Sequence, residues 1–141
     1  METRIKILQK AKELFMRMGI RAVSMDDIAA QSGISKKTIY QYYADKDELV
    51  DAVMQEEEKS VHNDSKECLK LSHNAVEEIL LTLSRVYARF SQMNPLVVHD
   101  MERFHTKAHS RFQKMKYEHL YNVIQKNIKR GIKEEIGRAH V

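Results

Sequence analysis

Between Ser24 and Leu49 the chain reads SMDDIAAQSGISKKTIYQYYADKDEL, and the capping residues in that stretch leave little choice of local fold. Ser24 is a good helix N-cap, and Asp27, three residues on, is a shorter form of the capping-box acid. Asp26 and Asp27 both suit the positive end of a helix. That helix runs through Met25, Ile28 and Ala29 and stops near Gly33, where a left-handed residue costs little. Ser35 caps a second helix carrying Lys36 to Tyr43, with Ile34 and Ile39 as apolar anchors on either side of the turn. Asp45 with Glu48 is a further capping signal, for a long helix with Lys46 and Asp47 in its first turn. Two short helices meeting at a glycine, the second presenting Lys, Thr, Tyr and Gln, suit docking into the major groove of DNA. Taken alone, the same stretch also describes an αα-hairpin inside a helical bundle.

The wider pattern decides between these. Upstream, Ile7, Ala11, Leu14 and Met18 recur at helical spacing, Leu8 and Phe15 widen the stripe, and Gly19 ends the helix. The motifs Ile7-x3-Ala11-x2-Leu14-Phe15-x3-Gly19, Ser24-Met25-x2-Ile28-Ala29, Gly33-Ile34-Ser35-x2-Thr38-Ile39-Tyr40 and Tyr43-x2-Lys46-x2-Leu49 together resemble the DNA-binding domain of the TetR family of bacterial transcriptional regulators. The resemblance covers a little over a third of the chain. It implies an all-α protein: a three-helix helix-turn-helix domain over residues 1–47, joined to a helical regulatory domain over 48–141 that binds a ligand and forms the dimer.

The resemblance also implies roles. Lys36, Lys37 and Thr38, opening the recognition helix, would face base edges or nearby phosphates. Tyr40, Gln41 and Tyr42 would lie along the groove, and Lys46 matches the family's backbone-clamping lysine. Ser24 would offer its hydroxyl and adjacent N–H groups to a phosphate, and Ser35 stands at the mouth of the recognition helix. Tyr43, four residues after Ile39, reads as core.

Composition agrees. One proline, four glycines and 31% charged residues describe a helix-rich chain, while a net charge of +4 is permissive for nucleic acid without being diagnostic. Cys68 is the only cysteine, so no disulfide framework exists within the chain. With no signal-peptide core and no apolar run long enough to span a membrane, a cytoplasmic protein without a membrane partner is expected. No nucleophile–base constellation, phosphate-binding glycine loop or metal spacing is visible, so neither enzymatic activity nor a cofactor is expected.

Beyond residue 50 the acidic run Glu56, Glu57 and Glu58 reads as a solvated face, and His62 to His73 as a helix end and a turn. Val76, Ile79, Leu80, Leu83, Tyr87 and Phe90 form a strong apolar stripe that Asn94-Pro95 breaks. A short helix through Leu96, Val97, Met101 and Phe104 follows, then a long one carrying Phe112, Met115, Leu120, Tyr121, Ile124 and Ile128, ended or interrupted at Gly131. The candidate ligand-binding residues are the aromatics and methionines of these stripes: Tyr87, Phe90, Met93, Met101, Phe104, Phe112, Met115 and Tyr121. For each, plain core packing is the commoner role.

His105 and His109 share an i, i+4 spacing but have no acidic or cysteine ligand at matching distance, and Thr106 to Ser110 reads as a loop. The basic residues Arg103, Lys107, Arg111, Lys114, Lys116, Lys126, Lys129, Arg130 and Lys133 read as solvent faces, with an anionic effector as the sharper alternative. Relatives of this kind usually continue past the position of Gly131 with two helices that form a four-helix dimer interface. Here Ile136-Gly137-Arg138-Ala139-His140-Val141 has no apolar period, so the regulatory domain reads as shortened. The expected protein is a homodimeric repressor in its full-length form, bound to a palindromic operator in double-stranded DNA and released by a small-molecule effector.

Overall fold

In the computed structural model, which describes residues 2–139, Gly19 and Gly33 are the residues with positive φ, at 85° and 70°, and each closes a helix. Helix α1 (Thr3–Met18) ends at Gly19, and α2 (Met25–Ser32) ends at Gly33, which is left-handed at φ 70°, ψ 17°. There follow α3 (Lys36–Tyr42), α4 (Lys46–Leu71), α5 (Ala75–Ser91), α6 (Pro95–Phe104) and α7 (Thr106–Lys114). A π-helical turn over Met115–His119 leads into α8 (Leu120–Ala139). No strand occurs among the described residues, and the protein is all-α. Met1, His140 and Val141 lie outside the described residues, so the last two residues of the closing segment receive no structural account.

The chain divides into two compact units. The first runs to Glu57 and adds Met93–Phe112; the helix-turn-helix, expected to end at residue 47, lies within it. Its apolar core takes Ile7, Ala11, Leu14 and Phe15 from α1, Ile28 from α2, Ile39 from α3, and Leu49, Val50, Val53 and Met54 from α4. Val97 and Met101 from α6 and Ala108 and Phe112 from α7 are buried in the same unit. Each buried Ile, Leu, Val, Met or Phe side chain among them contributes about 1.5–3 kcal/mol by leaving water. α1 packs on α2 and on α6, and α2 on α3. The approach of α6 is close: a Cβ on Gly19 would stand 3.1 Å from both Leu96 Cβ and Asp100 Oδ2.

The second unit comprises Glu58–Gln92 and the chain from Gln113 onward, with α5 packed on α8. A polar network supports that contact. Buried Asn127 donates to the Ala75 carbonyl at 2.8 Å and to Glu78 at 3.2 Å, Arg130 pairs with Glu78 at 3.0 Å, and Glu134 accepts from the Ala75 N–H at 3.0 Å. By contrast Val76, Leu80, Leu83 and Tyr87, on one face of α5, are exposed.

Several local expectations are corrected. Thr106–Ser110 is the start of α7, not a loop, because His105 closes α6 by donating its N–H to the Met101 carbonyl and then accepts from His109 N–H. Gly131 neither ends nor interrupts α8. The end of α4 at Leu71 and the turn before α5 do fall within His62–His73, as expected. Glu57 is buried and ion-paired with Lys12 of α1, so it is not part of a solvated face.

Candidate nucleic-acid interface

The recognition face rests on three caps. Ser24 Oγ accepts the Asp27 N–H at 3.0 Å while the Asp27 carboxylate accepts the Ser24 N–H at 2.9 Å, a complete capping box. The Ser24 N–H foremost, and then the Ser24 hydroxyl, hold the Asp27 carboxyl below the ordinary aspartate range. Ser35 Oγ accepts the Thr38 N–H at 3.1 Å and lies 2.8 Å from the Thr38 hydroxyl. Asp45 accepts the Glu48 N–H at 2.8 Å, and the Glu48 carboxylate accepts the Ala44 N–H at 3.0 Å, which fixes where α4 begins.

With its ends held, α3 sorts its residues by face. Ile39 is 0% exposed and Tyr43 is 2% exposed. The Tyr43 hydroxyl reaches the Arg4 carbonyl at 3.5 Å, and burial raises its pKa. On the outside, Lys36, Lys37, Tyr40, Gln41 and Tyr42 are exposed together, and Thr38 is half-buried. Lys36 pairs with Asp26 at 3.1 Å, and that carboxylate raises its pKa. Lys46 Nζ donates to the Ile20 carbonyl at 2.6 Å. Burial lowers the Lys46 pKa, opposed by the negative charges of Asp100 and Asp27. An ammonium has three donors, so two remain for another acceptor.

Sequence reasoning missed the ties that hold this head from behind. The Asp100 carboxylate of α6 accepts the Arg21 N–H at 2.9 Å, and the Arg21 guanidinium lies 5.2 Å over the Phe104 ring. Asp47, in the first turn of α4, pairs with His105 at 2.8 Å. Asp51 holds Arg111 at 3.1 Å and Lys107 at 3.6 Å, so those two bases are ion-paired rather than waiting for an anionic effector. An acid on one helix meeting a base on another leaves no local spacing to read.

The candidate ligand residues are dispersed. Met101 and Phe112 are buried in the first unit, where Phe104 is exposed and stacks under Arg21. Tyr87 is 76% exposed and Tyr121 is 60% exposed. Only Phe90 and Met115 of that set line a cavity of about 170 Å³ in the second unit, formed by α4, α5, the π-helical turn and α8. Its remaining walls include Cys68, Thr82, Val86 and Val123, with Asp64, Arg85, Arg89 and His119 as polar groups. These were missed because they come from separate elements and share no period in the chain; Arg85 and Arg89, four apart on α5, were the available signal. Among the described residues no three His, Cys, Asp or Glu side chains are grouped to hold a metal ion, and no helix is long and apolar enough to cross a membrane.

A capped helix-turn-helix followed by further helices places this chain among all-α proteins with an N-terminal helix-turn-helix head. Residues 7–53 match the family described as bacterial regulatory proteins, tetR family. The chain is 30% identical over 106 residues to YvaF, an HTH-type transcriptional regulator of Bacillus subtilis (strain 168), spanning 73% of this chain and 54% of that protein. Over 54 residues it is 43% identical to FasR, an HTH-type transcriptional activator of Mycolicibacterium smegmatis, spanning 38% of this chain and 25% of that one. The chain thus covers about half the length of the first relative and a quarter of the second. Its fold is similar to that of a TetR-family transcriptional regulator from Streptomyces coelicolor (TM-score 0.69, 17% identity, 80% of this chain and 63% of that chain). It is also similar to FadR from Bacillus subtilis in complex with stearoyl-CoA (TM-score 0.68, 18% identity, 93% and 72%). The chain belongs to the TetR family of bacterial regulatory proteins.

Proposed function

We propose that the protein is a sequence-specific, DNA-binding transcriptional regulator of the cytoplasm, a repressor that leaves its operator when a small molecule binds its second unit. The observation that carries DNA binding is the division of α3: Ile39 is buried while Lys36, Lys37, Tyr40, Gln41 and Tyr42 stand exposed beside a capped glycine turn. Such a helix is anchored from behind and polar in front, as groove readout requires. Lys37 and Lys46 would grip phosphates, Tyr40 and Tyr42 would add hydroxyl contacts, and the Ser24 and Ser35 ends would meet the backbone.

Effector binding is supported by the apolar cavity in the second unit and by the similarity to FadR, whose structure contains stearoyl-CoA. Pairing of two copies is supported by the exposed stripe of Val76, Leu80, Leu83 and Tyr87, since a run of apolar side chains in water marks an interaction surface. In a two-fold pair the recognition helices would stand about 34–36 Å apart, one DNA turn, and read a palindrome.

The test is selection of bound sequences from random duplex DNA, combined with a mass measurement in solution. Recovery of a palindrome, with affinity that falls steeply as salt is added, is the expected result. Recovery of no common sequence, or binding indifferent to salt and to a Lys37→Ala/Lys46→Ala double change, would overturn the assignment.

A further inference from the structure

We propose that the cavity of the second unit takes a small, uncharged, largely apolar molecule, about the size of one aromatic ring with one or two substituents. The proposal rests on the reading of that cavity as the effector site and narrows its chemistry.

Size is the first constraint. The cavity measures about 170 Å³. An engineered apolar cavity of about 150 Å³ admits benzene, whereas pockets for drug-sized ligands run from about 300 to 1,000 Å³. Phe90, Met115, Leu120 and Val123 give it walls suited to a ring or a short hydrocarbon.

Charge is the second. The two guanidiniums in the lining are already neutralised. Arg85 lies 3.1 Å from Glu67 and 3.7 Å from Asp64, and Arg89 pairs with Asp64 and donates to Ser60 Oγ at 3.0 Å. Lys116 is exposed, with its Nζ 5.3 Å over the Tyr117 ring, so water screens its charge. His119 brings no charge at neutral pH, because burial and the neighbouring His62 both lower its pKa. Its Nε2 is hydrogen-bonded to Ser65 Oγ at 2.8 Å, and that oxygen also lies 3.1 Å from the Val61 carbonyl. An anion entering here would lose its hydration and find no cation that lacks a carboxylate partner or bulk water.

The experiment is methionine-methyl NMR on the 141-residue chain with isotope-labelled methyl groups, the Met115 signal being assigned through Met115→Leu. The probes are p-cresol, its carboxylate counterpart p-toluate, and stearoyl-CoA. Expected is a saturable shift of the Met115 methyl by p-cresol, with Met101 of the first unit unmoved and p-toluate at least about tenfold weaker. Val86→Phe or Val123→Phe, filling the cavity from α5 or α8, should each abolish the shift; a Met115 methyl signal that stays away from its unfolded position before any probe is added reports that the second unit is still folded in the variant. Binding of p-toluate or stearoyl-CoA as tight as that of p-cresol would overturn the chemical class and leave the effector site standing. A Met115 methyl that none of the three probes moves, or a p-cresol shift that survives both filling variants, would overturn the cavity as a ligand site.

Discussion

Lys46, in the first turn of α4, donates from Nζ to the main-chain carbonyl of Ile20 at 2.6 Å, tying the start of α4 to the loop that leads into the α2 cap. The side chain expected to clamp DNA is therefore also a strut inside the head. Ile20's carbonyl accepts a second bond from the Val23 N–H at 3.2 Å, so removing the lysine does not orphan it. Lys46→Met keeps the stem and deletes the donor; with the group half exposed, the expected loss is about 1 kcal/mol of unfolding free energy. If Lys46 also clamps DNA, affinity should fall further than that loss accounts for, because the ammonium's two remaining donors go with it. Urea denaturation alongside a binding titration separates the effects, and unchanged stability would refute the strut.

The two positive-φ glycines should rank unequally. Gly33, at φ 70°, has nothing within 4 Å of an added Cβ, so Gly33→Ala pays backbone strain alone, about 1–2 kcal/mol. Gly19, at φ 85° and ψ 165°, lies where glycine is nearly obligatory, and its Cβ would also press on Leu96 and Asp100 at 3.1 Å. Gly19→Ala should be clearly the more damaging in chemical denaturation. Equal losses would mean that α6 yields freely.

What was legible in the sequence follows the range of the interaction. Ser24, Ser35 and Asp45 act on N–H groups three residues away, so their caps could be read from spacing. The burial of Ile39 and Tyr43 followed from their four-residue interval. The grouping of α6 and α7 with the head did not follow, because Val97, Met101, Ala108 and Phe112 announce an apolar face without naming what covers it. The π-helical turn at Met115–His119 has no proline or glycine to mark it. The cavity draws on four separate elements, so its walls share no period in the chain.

Acid should loosen the second unit through His119. Burial, then His62 and Lys126, depress its pKa, while Glu58 works against them. Between that lowered value and about 6.5 the unfolded chain binds the proton and the folded one does not, so stability is full above about pH 6.5 and is lost as pH falls through the folded value. Melting temperatures at about pH 7.5 and about pH 5.5 should differ in that direction, and the difference should shrink in His119→Gln, which can still hydrogen-bond to Ser65. An unaltered difference in the variant would assign the acid sensitivity to other groups.

Ile39 and Tyr40 are neighbours in α3 with opposite surroundings, the first fully buried and the second 43% exposed. Ile39→Ala removes core volume and should cost about 2–5 kcal/mol, enough to unfold much of a marginal head. Tyr40→Ala leaves the core intact and should change stability by no more than about 0.5 kcal/mol. If α3 is the reading helix, the order reverses for function: Tyr40→Ala should weaken DNA binding in a chain that melts normally. Ile39→Val should bind normally despite losing about 0.5–1.5 kcal/mol. The measurement is a melting curve and a DNA titration on all three variants. Full binding by Tyr40→Ala would remove that residue from the interface, and weak binding by a well-folded Ile39→Val would mean that small movements of α3, rather than its exposed side chains, control the contact.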